Sequence, residues 1–534
     1  MRKYFETMGG IDRFFEKRWF ILPIVSTLLL ILSFYPFNLW FLNLVALAPF
    51  FYFINLPVSG RKLFLGGFLF GVTFSFSLTY FTVIQFHWLP ETYLFARLVN
   101  LTFIPIALIG GVIAGSIAIL YKTLRSQNLA FNVFLFAAIS VAAELFLDFI
   151  FGGYYFGMLP LTADTLEPLM KLASVGGMFF VSFLMYSING FLGQFFLLRE
   201  TSQTKTFVRN VAISFAFIVL LFAVNEAYLK PSAVGGAKTV KIAVLQNNDR
   251  GDGAFADISS ESFKFNKLEE QLKEASLQKP DLIIYPFSPI VGAFYFTPPL
   301  AEFNKKILIT GTDNFAEWLN GIVPKGTTVM TWDVIYDSGE FFNQNDFWLD
   351  GRLAGSYRKR NLFPFADYTP EWAQKMSFYT TPYDIVKGGE NQAVPLGNGL
   401  STGNLICSEI SSQTLASRDA QKSQIIISAG SEAMFADSVA SAFNLMHARY
   451  RAAENNIPVI RANRFGPSAI IAPDGSIIGK MERGVDGVMT GEIEIKERQR
   501  TLFNMFGNAT IVFLIAVILL LAVYLRTKKR AIER

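Results

Sequence analysis

The chain has 534 residues, of which 52% are hydrophobic, 15% aromatic and only 17% charged, with 56 phenylalanines. Charge that sparse, against roughly 25% in an ordinary soluble domain, excludes a disordered chain and argues against a wholly soluble enzyme. One cysteine, Cys407, rules out an internal disulfide, two histidines are too few for a His-rich metal site, and the formal net charge of +5 turns on where the basic residues sit.

In chain order, apolar runs near the length of about 20 residues that spans a bilayer fall at Trp19–Tyr35, Leu39–Leu56, Leu63–Ile84, Leu101–Tyr121, Ala130–Phe151, Leu169–Leu198 and Val208–Ala227. Pro36-Phe37-Asn38 makes a tight turn between the first two. From Tyr228 to Arg500 the pattern changes. Short β-branched runs (Val240–Leu245, Leu282–Ile284, Ile307–Thr310, Leu405–Ile406, Ile425–Ile427, Ala469–Ile471) alternate with polar helical stretches, as an α/β domain requires. A last apolar run, Ala509–Leu525, precedes a basic tail. The plan is a cytoplasmic N-terminus (1–18), seven membrane helices (19–228), an exported α/β domain (229–500), an eighth span (501–525) and a tail (526–534).

Orientation follows from lysine and arginine, which collect on the cytoplasmic side. Arg2, Lys3, Arg13, Lys17 and Arg18 precede the first span, Arg61 and Lys62 follow the second, and Lys122 and Arg125 the fourth. Arg199, Lys205 and Arg209 follow the sixth, and Arg526, Lys528, Lys529 and Arg530 end the chain. The odd-numbered gaps carry little positive charge, so both termini are cytoplasmic and the α/β domain faces outward. The basic residues are scattered among membrane loops and carry no nucleic-acid fingerprint.

Ionisable groups at membrane depth are costly and usually face protein or water. Glu144 and Asp148 stand one helical turn apart in the fifth span. Glu144 is a candidate for lining a lipid-entry cavity, against the alternative that both reach the interface. Asn189 in the sixth span reads as an interhelical hydrogen bond, and His87 beside Trp88 as an interface residue.

Three segments of the α/β region end a short strand with reactive or polar groups: Asp281-Leu-Ile-Ile-Tyr285-Pro286-Phe287, Tyr357-Arg-Lys359-Arg360-Asn-Leu-Phe-Pro364-Phe365-Ala-Asp367-Tyr368, and Leu405-Ile-Cys407-Ser408-Glu409. A cysteine just after an apolar strand is a nucleophile position. The alternative is a buried, inert thiol, as most free cysteines are.

Together with Ser33-Phe-Tyr-Pro-Phe-Asn38-Leu-Trp40, Gln246, the run Ala448-Arg449-x-Arg451-Ala452-x-Glu454 to Arg461-Ala462-Asn463-x-x-Gly466, and Asp474-Gly475, these segments resemble, in order, the motifs of the bacterial apolipoprotein N-acyltransferases. The resemblance runs from Pro36 to Leu525. It implies eight transmembrane helices carrying a periplasmic nitrilase-like α-β-β-α sandwich in the inner membrane. It also implies a Glu-Lys-Cys triad, with Cys407 as nucleophile and Lys359 as oxyanion stabiliser. Phe287 occupies the general-base position, where phenylalanine cannot accept a proton. Glu409 is a candidate substitute base or structural carboxylate and Asp367 a candidate supporting carboxylate; Asp367 and Glu432 are, after Glu409, further candidates for the substitute base, each with a structural role as the alternative. Phe365, Tyr368, Met434, Phe435 and Glu144 are candidate substrate contacts. The partners implied are a phospholipid acyl donor and a diacylated apolipoprotein acceptor, with no cofactor and no metal, in a monomer. Three readings stay open: an N-acyltransferase working through a cysteine thioester, a catalytically impaired relative that binds lipoprotein or lipid, and a membrane-tethered amide hydrolase.

Overall fold

The computed structural model describes residues 10–79, 103–154, 157–162, 166–198, 204–229, 238–248, 258–286, 312–364, 366–375, 384–390, 393–397, 399–432 and 439–533. They divide into two compact units. One takes the described residues up to Leu229 and those from Thr501 on; the other lies within Lys230–Arg500.

The first unit is helical: α1 (Gly10–Lys17), α2 (Ile21–Ser33), a 3₁₀ turn (Trp40–Leu44), α3 (Ala48–Asn55), α4 (Gly60–Thr79), α5 (Phe103–Leu124), α6 (Leu129–Ile150), α7 (Glu167–Lys171), α8 (Ala173–Leu198) and α9 (Thr204–Leu229). Six described helices are long and apolar enough to cross a membrane. They lie at Gly60–Thr79, Ile104–Leu124, Leu129–Ile150, Ala173–Leu198, Phe207–Leu229 and Ala509–Lys528. The first two expected spans are shorter than their apolar runs. Pro36 and the left-handed Asn38 end α2's run, and the second run breaks into the 3₁₀ turn and α3. Asn189 on α8 braces that break. Its Oδ1 accepts the Leu47 N–H at 2.7 Å and its Nδ2 donates to the Asn43 carbonyl at 2.8 Å, which satisfies backbone groups that helix geometry leaves open.

Helices α4 and α5 meet along a seam of small residues. A Cβ at Gly67 would lie 2.6 Å from the Ala114 carbonyl oxygen, and one at Gly71 would strike the carbonyl of Gly110. Beside this seam is a cavity of about 70 Å³, lined by apolar side chains and by Ser75, Ser140, Glu144 and Tyr186. Glu144 is buried, and its Oε1 accepts from Tyr186 Oη at 3.1 Å. Phe215, Phe217 and Leu220 on α9 stay exposed, which fits a lipid-facing surface better than a wet one.

The second unit is a four-layer sandwich. Its elements are β1 (Lys238–Gln246), α10 (Ile258–Leu277), β2 (Leu282–Tyr285), α11 (Thr312–Ile322), β3 (Thr328–Asp337), β4 (Glu340–Leu349), β5 (Arg352–Arg358), α12 (Glu371–Lys375), β6 (Val394–Pro395), β7 (Ser401–Ile406), a 3₁₀ turn (Cys407–Ser411), α13 (Gln413–Ala420), β8 (Ile425–Ser431), α14 (Val439–Asn455), β9 (Val459–Arg464), β10 (Ser468–Ile471), β11 (Ile477–Met481) and β12 (Gly487–Ile495). The chain then returns to the helical unit as α15 (Leu502–Phe506) and α16 (Ala509–Glu533).

One six-stranded sheet runs β12-β1-β2-β3-β4-β5, the other β11-β10-β9-β8-β7-β6. Strands β1, β2 and β3 are parallel to one another, as are β7, β8 and β9. Alternation along β1 sends Ile242 and Val244 into the layer between the sheets, with Ile284, Met330, Ile427 and Ile460. Ala243 and Leu245 point the other way, onto Leu268 and Leu272 of α10 and Phe315 of α11. On the second sheet Leu405 and Ile426 pack on Ala416 of α13 and Ala448 of α14. Strands buried on both faces read as continuous apolar runs, and each fully buried Val or Ile contributes about 1.5–3 kcal/mol. The α-β-β-α order is the expected one. The Asp474-Gly475 turn joins β10 to β11 with Gly475 at φ +85°.

Candidate active site

The parallel strands of each sheet end together, and such ends are where α/β sheets bind ligands. Strand β7 ends in Cys407, which opens the 3₁₀ turn with a left-handed backbone (φ +54°). A non-glycine residue held there is strained by about 1–3 kcal/mol and persists only where its surroundings fix it. Glu409 does the fixing. Its Oε2 accepts the Ile406 N–H at 2.8 Å and the Tyr357 hydroxyl at 2.7 Å. Its Oε1 accepts the N–H groups of Arg360 at 2.7 Å and Asn361 at 2.8 Å. The fully buried carboxylate therefore ties the nucleophile turn to the segment after β5 through four donors.

That segment carries the lysine. Arg360 is locked by Asp419 on α13, with Nη2 at 2.9 Å from both carboxylate oxygens, and its Nε donates to Tyr357 Oη at 2.9 Å. Tyr357 and Arg360 thus anchor the backbone on either side of Lys359, whose side chain is 2% exposed. Lys359 Nζ donates to Asp367 Oδ2 at 2.6 Å. The same oxygen accepts the Phe363 N–H at 2.6 Å, closing the loop between them. Asn343, held by the Trp332 indole, faces Asp367 Oδ1 at 3.5 Å.

Strand β8 passes close beside Cys407. A Cβ on Gly430 would lie 2.9 Å from the Cys407 Cα and 3.3 Å from its Cβ, so this position requires glycine. Two residues on, Glu432 is buried, pairs with the Arg461 guanidinium and accepts from Asn444 Nδ2 at 2.8 Å. Burial is the largest influence on the Cys407 thiol and pushes its pKa up; the Lys359 ammonium pulls it down, and the Asp367 and Glu432 carboxylates push it up again. The balance lies on the raised side, so the thiol holds its proton more firmly than a free cysteine.

Of the sequence-derived candidates, Cys407, Lys359, Asp367, Glu409 and Glu432 fall in one neighbourhood. Tyr368 bridges to Pro364 in the same loop and is half-buried. Glu144 belongs to the helical unit and lines its cavity. Phe287, Phe365, Met434 and Phe435 lie outside the described residues, as do His87 and the Ile307–Thr310 run. Sequence reasoning missed Gly430, the Arg360–Asp419 lock and the Arg461–Glu432 pair. The first had one available signal, a glycine in an otherwise β-branched strand. The two ion pairs had none.

A cysteine on a strained turn beside a buried lysine–carboxylate pair, set on an α-β-β-α sandwich, defines a domain of the carbon–nitrogen hydrolase class. Residues 241–501 match the family model described as carbon-nitrogen hydrolase, and residues 26–191 match that of the apolipoprotein N-acyltransferase N-terminal domain. Curated proteins named apolipoprotein N-acyltransferase are similar along the chain. That of Pseudomonas syringae is 26% identical over 86% of this chain and 87% of its own length, and that of Haemophilus ducreyi 23% identical over 93% and 95%. That of Aquifex aeolicus is 27% identical over 57% of this chain and 66% of its own length, just under two thirds. The chain belongs to the apolipoprotein N-acyltransferase family, within the nitrilase superfamily.

Proposed function

We propose that this chain transfers an acyl chain from a phospholipid, through a thioester on Cys407, to the α-amine of a diacylglyceryl-cysteine lipoprotein. The observation that carries the reading is the strained Cys407 turn, tied by Glu409 to the segment that presents buried Lys359. The sulfur attacks the acyl ester carbonyl, Lys359 stabilises the oxyanion, and lysophospholipid leaves. The lipoprotein amine then attacks the thioester, and an amide forms. A thioester suits this exchange because it is an activated acyl donor, reactive enough for an amine to displace the thiol. Asp367 holds the Lys359 ammonium in place, and Glu409 shapes the nucleophile turn. Phe365, Tyr368, Met434 and Phe435 contact the apolar chains. Glu144 gives the helical unit a polar point in an apolar cavity that lipid reaches.

The topology that fits this role has eight spans, both termini cytoplasmic and the sandwich in the periplasm. The domains then run 1–18, 19–228, 229–500, 501–525 and 526–534. The alternation of basic gaps supports it.

Phe287 favours a second reading, a catalytically impaired relative that binds lipid or lipoprotein. One experiment separates the two. Purified protein is incubated with a labelled phospholipid, and intact mass is read for an acyl adduct. An adduct that disappears in Cys407→Ala supports transfer. No adduct after long incubation, in protein that still binds lipid, supports the second reading.

A further inference from the structure

The acyl-transfer reading, on which this inference rests, leaves the thiol proton without a destination, because phenylalanine at position 287 cannot take it. Three carboxyl groups stand near the thiol, and they differ in what their oxygens already hold. Both oxygens of Glu409 are saturated by four donors. Asp367 Oδ2 holds the Lys359 ammonium and the Phe363 N–H, and its Oδ1 faces the Asn343 amide. Glu432 is different. Its Oε1 holds Asn444 and Arg461, while Oε2 is buried and, among the described residues, accepts no hydrogen bond.

The backbone brings the Glu432 carboxylate within electrostatic reach of the thiol. Residues i and i+2 of an extended strand share a face, so Glu432 leaves the end of β8 on the side that Gly430 opens to Cys407. Gly466 clears the space in turn, since a Cβ there would collide with Oε2. Arg461 on β9, held by the Pro467 carbonyl at 3.1 Å, and Asn444 on α14 fix the other half of the carboxylate. Among the described residues, the charged groups around the pair are thus Lys359 and Asp367 after β5, Glu409 in the nucleophile turn, and Arg461 on β9.

We propose that Glu432, through Oε2, is the proton acceptor for the Cys407 thiol, in place of the absent glutamate. The S–H bond breaks and its proton passes to Oε2. The sulfur electron pair forms the S–C bond at the ester carbonyl of the phospholipid, and the C–O bond to glycerol breaks. The proton returns from Glu432 to the departing alkoxide, which leaves as lysophospholipid. In the second half-reaction Oε2 takes a proton from the attacking amine and passes it to the sulfur as the C–S bond breaks. No other co-reactant is needed.

Cys407 is the only cysteine, so alkylation of the full chain by iodoacetamide across pH reads this thiol directly, alongside acylation by labelled phospholipid. Glu432→Gln keeps the size and one oxygen for Arg461. It should slow thioester formation about 10²–10⁴-fold at neutral pH, with the gap narrowing as pH rises and thiolate forms unaided. Its alkylation profile should move to lower pH, because a neighbouring negative charge has gone. An alkylation profile that does not move, or acylation within about threefold of wild type (far inside the range a base contributes), overturns the proposal. If wild type itself forms no thioester, the acyl-transfer reading fails, and the alkylation profile alone decides whether Glu432 acts on this thiol. Should Glu432→Gln fail to fold, Glu432→Asp keeps the charge for Arg461 and withdraws Oε2. Slowed acylation with an unmoved alkylation profile then supports the assignment, and undiminished acylation overturns it.

Discussion

Lys359 and Asp367 form a buried ion pair at 2.6 Å, and the two act on the Cys407 thiol with opposite sign. Removing the cation, in Lys359→Met, should raise the thiol pKa further. Thiolate at any given pH then falls, and iodoacetamide alkylation shifts to higher pH. Removing the anion, in Asp367→Asn, should shift it to lower pH. Acylation by phospholipid should fall about 10²–10³-fold in Lys359→Met, the typical loss of one oxyanion donor. Alkylation profiles that move in the same direction in both variants would remove the pair from the thiol's surroundings.

Phe287 offers the converse test. Phe287→Glu places a carboxylate at the position that the resemblance reads as the base's. A positioned base contributes about 10²–10⁴-fold, so thioester formation should rise, most clearly in a Glu432→Gln background. The check is the time course of the labelled adduct at neutral pH. An unchanged rate in a protein that acylates would mean that Phe287 does not stand at the base position.

Much of the sandwich was legible because its central strands are buried on both faces. Val240–Leu245, Leu282–Ile284, Ile425–Ile427 and Ala469–Ile471 are apolar runs that cannot sit in water, and each lies within a strand. The β3–β4–β5 meander was not read. Strand β4 buries Asn343, Gln344, Asn345 and Asp346, and a polar strand carries no hydrophobic period. At the site, Cys407 and Lys359 stood out by chemistry and position. What holds them did not. Arg360 and Asp419 are 59 residues apart in sequence, and nothing local in either marks the other. The spare oxygen of Glu432 is equally invisible, since it depends on which donors happen to be near.

Glu409 should matter to folding as much as to chemistry. Truncation in Glu409→Ala leaves the Tyr357 hydroxyl and the N–H groups of Ile406, Arg360 and Asn361 without their acceptor. Removing one partner of a buried, charged hydrogen-bond network costs about 3–5 kcal/mol. A thermal melt in detergent should show a clear drop, and the Cys407 turn should lose acylation although the thiol is intact. Full stability in Glu409→Ala would show that the turn is held by other groups.

The seam between α4 and α5 makes a separate prediction for the helical unit. Gly71 has no room for a side chain against the Gly110 carbonyl, and both glycines line the cavity beside the seam. Gly71→Leu should therefore destabilise by at least the roughly 1–3 kcal/mol of an overpacked core. Gly60, whose Cβ would meet only the Ile119 Cδ1 at 3.9 Å, is the control, and Gly60→Ala should melt like wild type. Equal melting of Gly71→Leu and wild type would mean that the helices pack less closely than the backbone shows.

The orientation of the sandwich is open to the same single-cysteine economy. In a Cys407→Ala background the chain has no thiol left, so each introduced cysteine reports one position. Lys273, on an exposed face of α10, and Lys528, exposed near the end of α16, lie on opposite sides of the membrane if the basic gaps set the topology. A membrane-impermeant maleimide applied to intact spheroplasts should label Lys273→Cys at once. It should label Lys528→Cys only after permeabilisation. Labelling of both before permeabilisation would break the even span count, and the reverse pattern would put the nucleophile on the cytoplasmic side, away from exported lipoproteins.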